Sequence, residues 1–235
     1  MATYVLVHGA WHGSWCWKRV RKALQTAGHE VFTPTLTGVG ERSHLASPSI
    51  NLETHISDVL NLIRWEELSD IILCGHSYAG CVISGVADRI PEKIRALIYL
   101  DAFVLENGEC LQDLLPEEQV QATREQVTAT GEGWKVAPIP AEVFRVNSRD
   151  AAWMDAQCTP QSLACFVQPI KLTGGLNRIQ NVTHVLAVGF REGSPFPACH
   201  ERAKAKGWRT HTMACGHDVM LDQPDELTAF LLRFA

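Results

Sequence analysis

Asp70–Ile71–Ile72–Leu73–Cys74–Gly75–His76–Ser77–Tyr78–Ala79–Gly80 joins an apolar run to a cluster of small residues. The run does not alternate with polar residues, which is the pattern of a strand buried on both faces. Gly75 breaks it, and a helical pattern follows over 79–90. A strand, a sharp turn and a helix with a serine at the apex form the pattern of a nucleophile elbow. Such a turn needs small residues where helix and strand meet, and Gly75 and Ala79 occupy those two places, with Gly80 next. A plain strand-to-helix turn with a serine cap would read similarly. The buried strand before Ser77 and the small-residue helix after it favour a nucleophile.

Outward from this stretch, the chain of 235 residues has the length of one domain with a full core. Its 46% hydrophobic and 20% charged residues suit a globular protein, and a net charge of −5 offers nothing to nucleic acid or an anionic membrane. The start, MATYVLVHGAW, lacks a basic segment and a long apolar run, so no signal peptide or membrane span is expected and a cytoplasmic location is. Eight cysteines without C-x-x-C spacing read as free thiols. Ten histidines show no metal-binding spacing, and neither a metal nor a cofactor is expected.

Residues 4–7 form a first apolar strand that empties into His8–Gly9–Ala10–Trp11–His12–Gly13. A glycine-bearing loop after a strand can present free amides, and acyl transfer needs two of them for the oxyanion. Ala10 is expected to give one and Tyr78, after the nucleophile, the other. A helix from Trp15 stopped by Gly28, a strand at 31–33, a helix capped by Asn51, the elbow strand, and a strand at 96–100 follow in turn. This alternation predicts a mostly parallel central sheet flanked by helices, with ligands at the carboxyl ends of the strands. After Asp101 the rhythm stops until a strand at 184–188. The division expected is a core of 1–103 and 180–235 with a cap of 104–179 inserted after the strand ending near Leu100. Trp11, Trp134, Trp153 and Phe166 are its candidate substrate contacts.

A serine alkoxide needs a base, and the base needs an acid to fix its tautomer. His217 follows the last strand in the glycine-bearing loop Cys215–Gly216–His217–Asp218 and is the base expected. Two acids stay open. Glu192 follows the penultimate strand, the usual place in this architecture, and is favoured; Asp101 follows the strand beside the elbow strand.

On these residues the sequence resembles the α/β-hydrolase superfamily, and within it the group of plant methylesterases, hydroxynitrile lyases and small bacterial esterases. The stretches that carry the resemblance are His8–Gly13, Gly75–Gly80, Gly216–Leu221, Thr37–Arg42 and Tyr99–Val104. It implies a cofactor-free serine esterase acting on a small to medium carboxylic ester, with Glu192 a conservative substitute for the aspartate of the group. A lyase of the same fold is the alternative, against which stand Gly9, where such lyases carry a hydroxyl or amide, and Asp218, where some carry a lysine. A ligand receptor that keeps the hydrolase cavity is the other. The partner expected is the ester substrate, with a homodimer left open.

Overall fold

The computed structural model describes residues 1–190 and 193–235. In chain order, β1 (Thr3–Val7) leads through a 3₁₀ turn at Ser14–Trp17 into α1 (Lys18–Thr26), followed by β2 (Glu30–Phe32) and α2 (Leu52–Trp65). Next come β3 (Ile71–His76), α3 (Ala79–Arg89) and β4 (Ile94–Leu100). Local chemistry sets several of these boundaries. Asn51 accepts the Thr54 amide at 3.1 Å while the Thr54 hydroxyl accepts the Asn51 amide at 3.3 Å, a reciprocal cap that starts α2. Gly28 takes the left-handed conformation (φ +86°) that ends the turn after α1.

Between β4 and β7 (Val182–Ala187) the chain leaves the sheet. It forms α4 (Glu117–Ala129), β5 (Lys135–Val136), α5 (Ala151–Gln157), β6 (Gln161–Ser162) and α6 (Ala164–Val167), with β5 and β6 paired antiparallel. The segment 141–155 is helical only from Ala151. Its first part is a turn pinned by Asp155, which accepts the Ala141 amide at 2.8 Å. The excursion returns to the core on Asp88 of α3, whose carboxylate accepts the Thr173, Gly174 and Leu176 amides and the Thr173 hydroxyl at 2.6–3.2 Å. After β7 come α7 (Phe196–Ala205), β8 (Arg209–Met213), α8 (Val219–Asp222) and α9 (Pro224–Leu231).

Among the described residues, six strands form one sheet in the order β2-β1-β3-β4-β7-β8, and every neighbouring pair is parallel. β3 lies near the centre, with Val5 beside Leu73 and Leu73 beside Leu97. Ile71, Ile72, Leu73 and Cys74 are all fully buried, which explains their unbroken apolar run. Each such aliphatic side chain contributes about 1.5–3 kcal/mol by leaving water. Helices cover both faces, and the carboxyl ends of β1, β3, β4, β7 and β8 open toward the excursion. No helix of the described residues is long and apolar enough to cross a membrane.

Candidate active site

Ser77 follows β3 directly and holds a left-handed backbone, φ +56°, which a non-glycine residue adopts at a cost. The surroundings hold it there. Its N–H donates to the Leu100 carbonyl at 3.2 Å, and its own carbonyl accepts the Gly80 amide at 3.0 Å and the Phe103 amide at 3.2 Å. The glycines of the stretch permit this closeness: a Cβ on Gly75 would stand 2.8 Å from the Ala79 carbonyl oxygen, and one on Gly80 only 2.2 Å from that of Phe103. A further tight contact of the elbow lies at Gly80, against the chain leaving β4.

His217 lies in the loop after β8 and is 1% exposed. Its amide donates to the Phe144 carbonyl at 2.9 Å. Phe196 stacks on the imidazole with centroids 4.7 Å apart and planes 11° from parallel, while Phe144 and Phe190 pack at 4.8 and 5.3 Å. Three phenylalanines thus fix the ring, a clamp the sequence did not reveal because they lie 21 to 73 positions away in three separate segments. Burial lowers the His217 pKa to about 4. At neutral pH the ring is therefore neutral.

The acid beside it is Asp101. Its Oδ2 stands 2.7 Å from His217 Nδ1, and its Oδ1 accepts the Ala187 amide at 2.9 Å. Asp101 sits at the end of β4 with φ +42°, its N–H donating to the Val185 carbonyl at 2.7 Å. Aspartate tolerates such a conformation better than most residues. Glu192, the acid favoured from sequence, lies outside the described residues. His217 Nδ1 can make one short bond, and Asp101 holds it. What the penultimate strand contributes instead is the Ala187 amide that orients that carboxylate. One proton lies on the Nδ1–Oδ2 line, which leaves Nε2 a lone pair.

Of the two expected oxyanion donors, neither the Ala10 nor the Tyr78 amide has a hydrogen-bond partner among the described residues. The Trp11 amide, by contrast, is taken by Gln161 Oε1 at 2.9 Å. The Tyr78 side chain is tied down independently. His55 Nε2 donates to the Thr37 carbonyl at 2.9 Å, so Nδ1 accepts the Tyr78 hydroxyl at 2.9 Å.

Behind the site lies a further buried group. His12 Nδ1 donates to the Ala10 carbonyl at 2.7 Å, and its Nε2 stands 2.9 Å from Asp218 Oδ1, near enough for an ion pair but not aligned as a hydrogen bond. The Asp218 charge raises the His12 pKa against the effect of burial, and His12 in return lowers that of Asp218. His76 Nε2 donates to the His217 carbonyl at 3.0 Å. These three residues join the loop after β1, the elbow and the loop of the base. Asp222 accepts the Gly216 and Asn147 amides at 2.9 Å, fastening the His217 loop to the excursion.

Ser77, His217, Ala10 and Tyr78 all line one cavity of about 500 Å³. Trp11 and Phe166 are in its wall, stacked on each other at 5.8 Å. Trp134 and Trp153 are not. Trp153 is 38% exposed and packs edge-on against Trp15 at 5.1 Å, while Trp134 lies beside the Lys135 ammonium. The wall is completed by Phe103, Phe144, Phe190 and Phe196. Among the described residues no group of three or more His, Cys, Asp or Glu is arranged to hold a metal ion.

The parallel sheet, the strained serine after its central strand and the base after its last strand define an α/β-hydrolase. The model of the Alpha/beta hydrolase family matches residues 4–230, and the chain belongs to that family. It is 47% identical over 238 residues to the carbendazim hydrolyzing esterase of Nocardioides sp. (strain SG-4G), covering 97% of each chain. It is 34% identical over 122 residues to putative methylesterase 14 of Arabidopsis thaliana, covering 52% of this chain and 35% of that one. An extracellular α/β-hydrolase from a Paenibacillus species superposes with a TM-score of 0.87 at 22% identity, over 100% and 99% of the two chains. The chain is a carboxylesterase of this family.

Proposed function

We propose that the chain hydrolyses its ester through an acyl-enzyme on Ser77. Ser77 Oγ attacks the ester carbonyl while His217 Nε2 takes its proton, and the same proton passes to the departing alkoxide. Water, deprotonated by the same nitrogen, then releases the acid. Asp101 keeps the remaining proton on Nδ1 and stabilises the imidazolium of each transition state. The Ala10 and Tyr78 amides receive the oxyanion, which forms in a cavity with largely apolar walls. The observation that carries this reading is the 2.7 Å Asp101–His217 contact in the cavity that Ser77 also lines.

The substrate fits the same walls. A cavity of about 500 Å³ edged by Trp11, Phe144, Phe166 and Phe190 suits a small, flat aromatic ester, and carbendazim is the first compound to offer it. Lyase chemistry has no room for its usual polar group at position 9, because a Cβ there would stand 2.9 Å from both His76 Nδ1 and Ser77 Cβ. The test is pre-steady-state hydrolysis of p-nitrophenyl acetate. A stoichiometric burst of p-nitrophenol is expected, absent in Ser77→Ala, with kcat lower by about 10⁴ or more. A full burst in Ser77→Ala would remove the serine from the mechanism.

A further inference from the structure

The cavity wall carries a side chain that the acyl-transfer chemistry does not use. Besides Ser77 and His217, and besides Trp11 and Tyr78, whose indole N–H and hydroxyl are already bonded to Val136 and His55, four residues with uncharged polar side chains line it: Gln112, Gln119, Thr123 and Gln126. Of these four, Gln119, Thr123 and Gln126 are engaged within the protein. Gln119 Nε2 donates to the Gly193 carbonyl at 3.1 Å, and the Thr123 hydroxyl to the Gln119 carbonyl at 2.8 Å. Gln126 accepts the Ala137 amide and donates to the Thr130 hydroxyl, both at 3.0 Å. These three belong to α4 and are part-exposed, so water also reaches them.

Gln112 differs. It is 8% exposed, and among the described residues its side-chain amide has no hydrogen-bond partner. Its neighbours in the wall are apolar, Leu111, Leu115 and Phe103 among them. It lies on the 3₁₀ turn Leu111–Leu114, where Asp113 accepts the Cys110 amide at 2.7 Å and the Gln112 carbonyl accepts the Leu115 amide at 3.1 Å. Its amide nitrogen and oxygen are not among the side-chain polar atoms wholly enclosed by the described residues, so they keep access to the cavity that Gln112 lines, and a polar group in so buried a place normally has a partner. The small accessible remainder of so buried a residue is what it turns to the cavity it lines.

We infer that Gln112 is a specificity residue, and that the natural ester carries, away from its scissile carbonyl, a group that donates and accepts hydrogen bonds on one edge. An amide, a urea or an azole has that edge. Gln112 Oε1 accepts from its N–H, and Nε2 donates to its lone pair. The inference rests on the esterase reading and refines it from any flat apolar ester to one with a polar edge. A site built to pair such an edge rejects a hydrocarbon of the same shape, because the glutamine is then buried unpaired.

The test compares the p-nitrophenyl esters of benzimidazole-5-carboxylic acid and of 2-naphthoic acid, which match in shape and differ in that edge. The wild-type protein should favour the azole ester in kcat/KM by about 10-fold or more. Gln112→Leu should reduce or invert that ratio, and Gln112→Asn, with the amide drawn back by one methylene, should lie between. Circular dichroism melts establish that each variant folds, and if the leucine variant does not, the asparagine variant decides. A ratio near one in the wild type, or one unchanged in the variants, overturns the role of Gln112 and leaves the esterase reading standing. If the wild type also shows no burst with p-nitrophenyl acetate, both fall together.

Discussion

Asp101→Asn separates the charge of the acid from its shape, and the structure dictates how the amide must sit. The Asp101 carboxylate has two obligations: Oδ1 accepts the Ala187 amide at 2.9 Å, and Oδ2 faces His217 Nδ1 at 2.7 Å. Asparagine has one oxygen, and the Ala187 N–H can only donate, so the oxygen stays with Ala187 and the NH₂ turns to His217. His217 Nδ1 must then accept, its proton moves to Nε2, and Nε2 has no lone pair for the serine proton. The phenylalanine clamp prevents the ring from flipping to escape. The loss expected is that of a wrong tautomer, roughly 10³–10⁴ in kcat, or about 4–5.5 kcal/mol of transition-state stabilisation. It is read by steady-state hydrolysis of p-nitrophenyl acetate at pH 7.5, after circular dichroism shows the fold intact. KM should change far less than kcat, since the substrate does not touch Asp101. Glu192→Gln, in parallel, should leave kcat close to wild type, because His217 Nδ1 already has its partner. A kcat for Asp101→Asn within tenfold of wild type, or a collapse in Glu192→Gln alone, would refute this reasoning.

Two further outcomes follow from the same site. Burial holds His217 below the ordinary histidine value of 6.5, to about 4, and the neutral ring is the active form. Activity is therefore retained as pH falls through 6.5 and lost only when the ring finally takes a second proton, so the acid limb of kcat/KM should have an apparent pKa below 6.5; a limb above 6.5 would contradict it. Phe166→Ala, which opens the wall beside Trp11, should alter the relative kcat/KM of aromatic and acetyl esters by about 1–3 kcal/mol, whereas Trp153→Ala should leave the ester profile unchanged. A shifted profile in Trp153→Ala would place that residue at the substrate after all.

The elements that the sequence alone determined are those set by local pattern. The apolar run 71–74 has the pattern of a strand covered on both faces, and the small residues around Ser77 have that of a close turn. The alternation of strands and helices then predicted a mostly parallel sheet with Ser77 and His217 at the carboxyl ends of its strands. Tertiary structure decided whatever depended on which neighbours meet across the sheet. Glu192 and Asp101 both follow strands, and nothing local distinguishes them. The pairing of β4 with β7 does, because it sets the Ala187 amide against the Asp101 carboxylate. The aromatic residues of the excursion show the same limit. Tryptophan at 134 or 153 and phenylalanine at 144 or 166 look alike as apolar residues in an irregular segment. Only the folded excursion places the phenylalanines in the cavity wall and leaves both tryptophans out of it. Irregular chain has no period from which a buried face can be read, so its inside and outside are settled by long-range contacts alone.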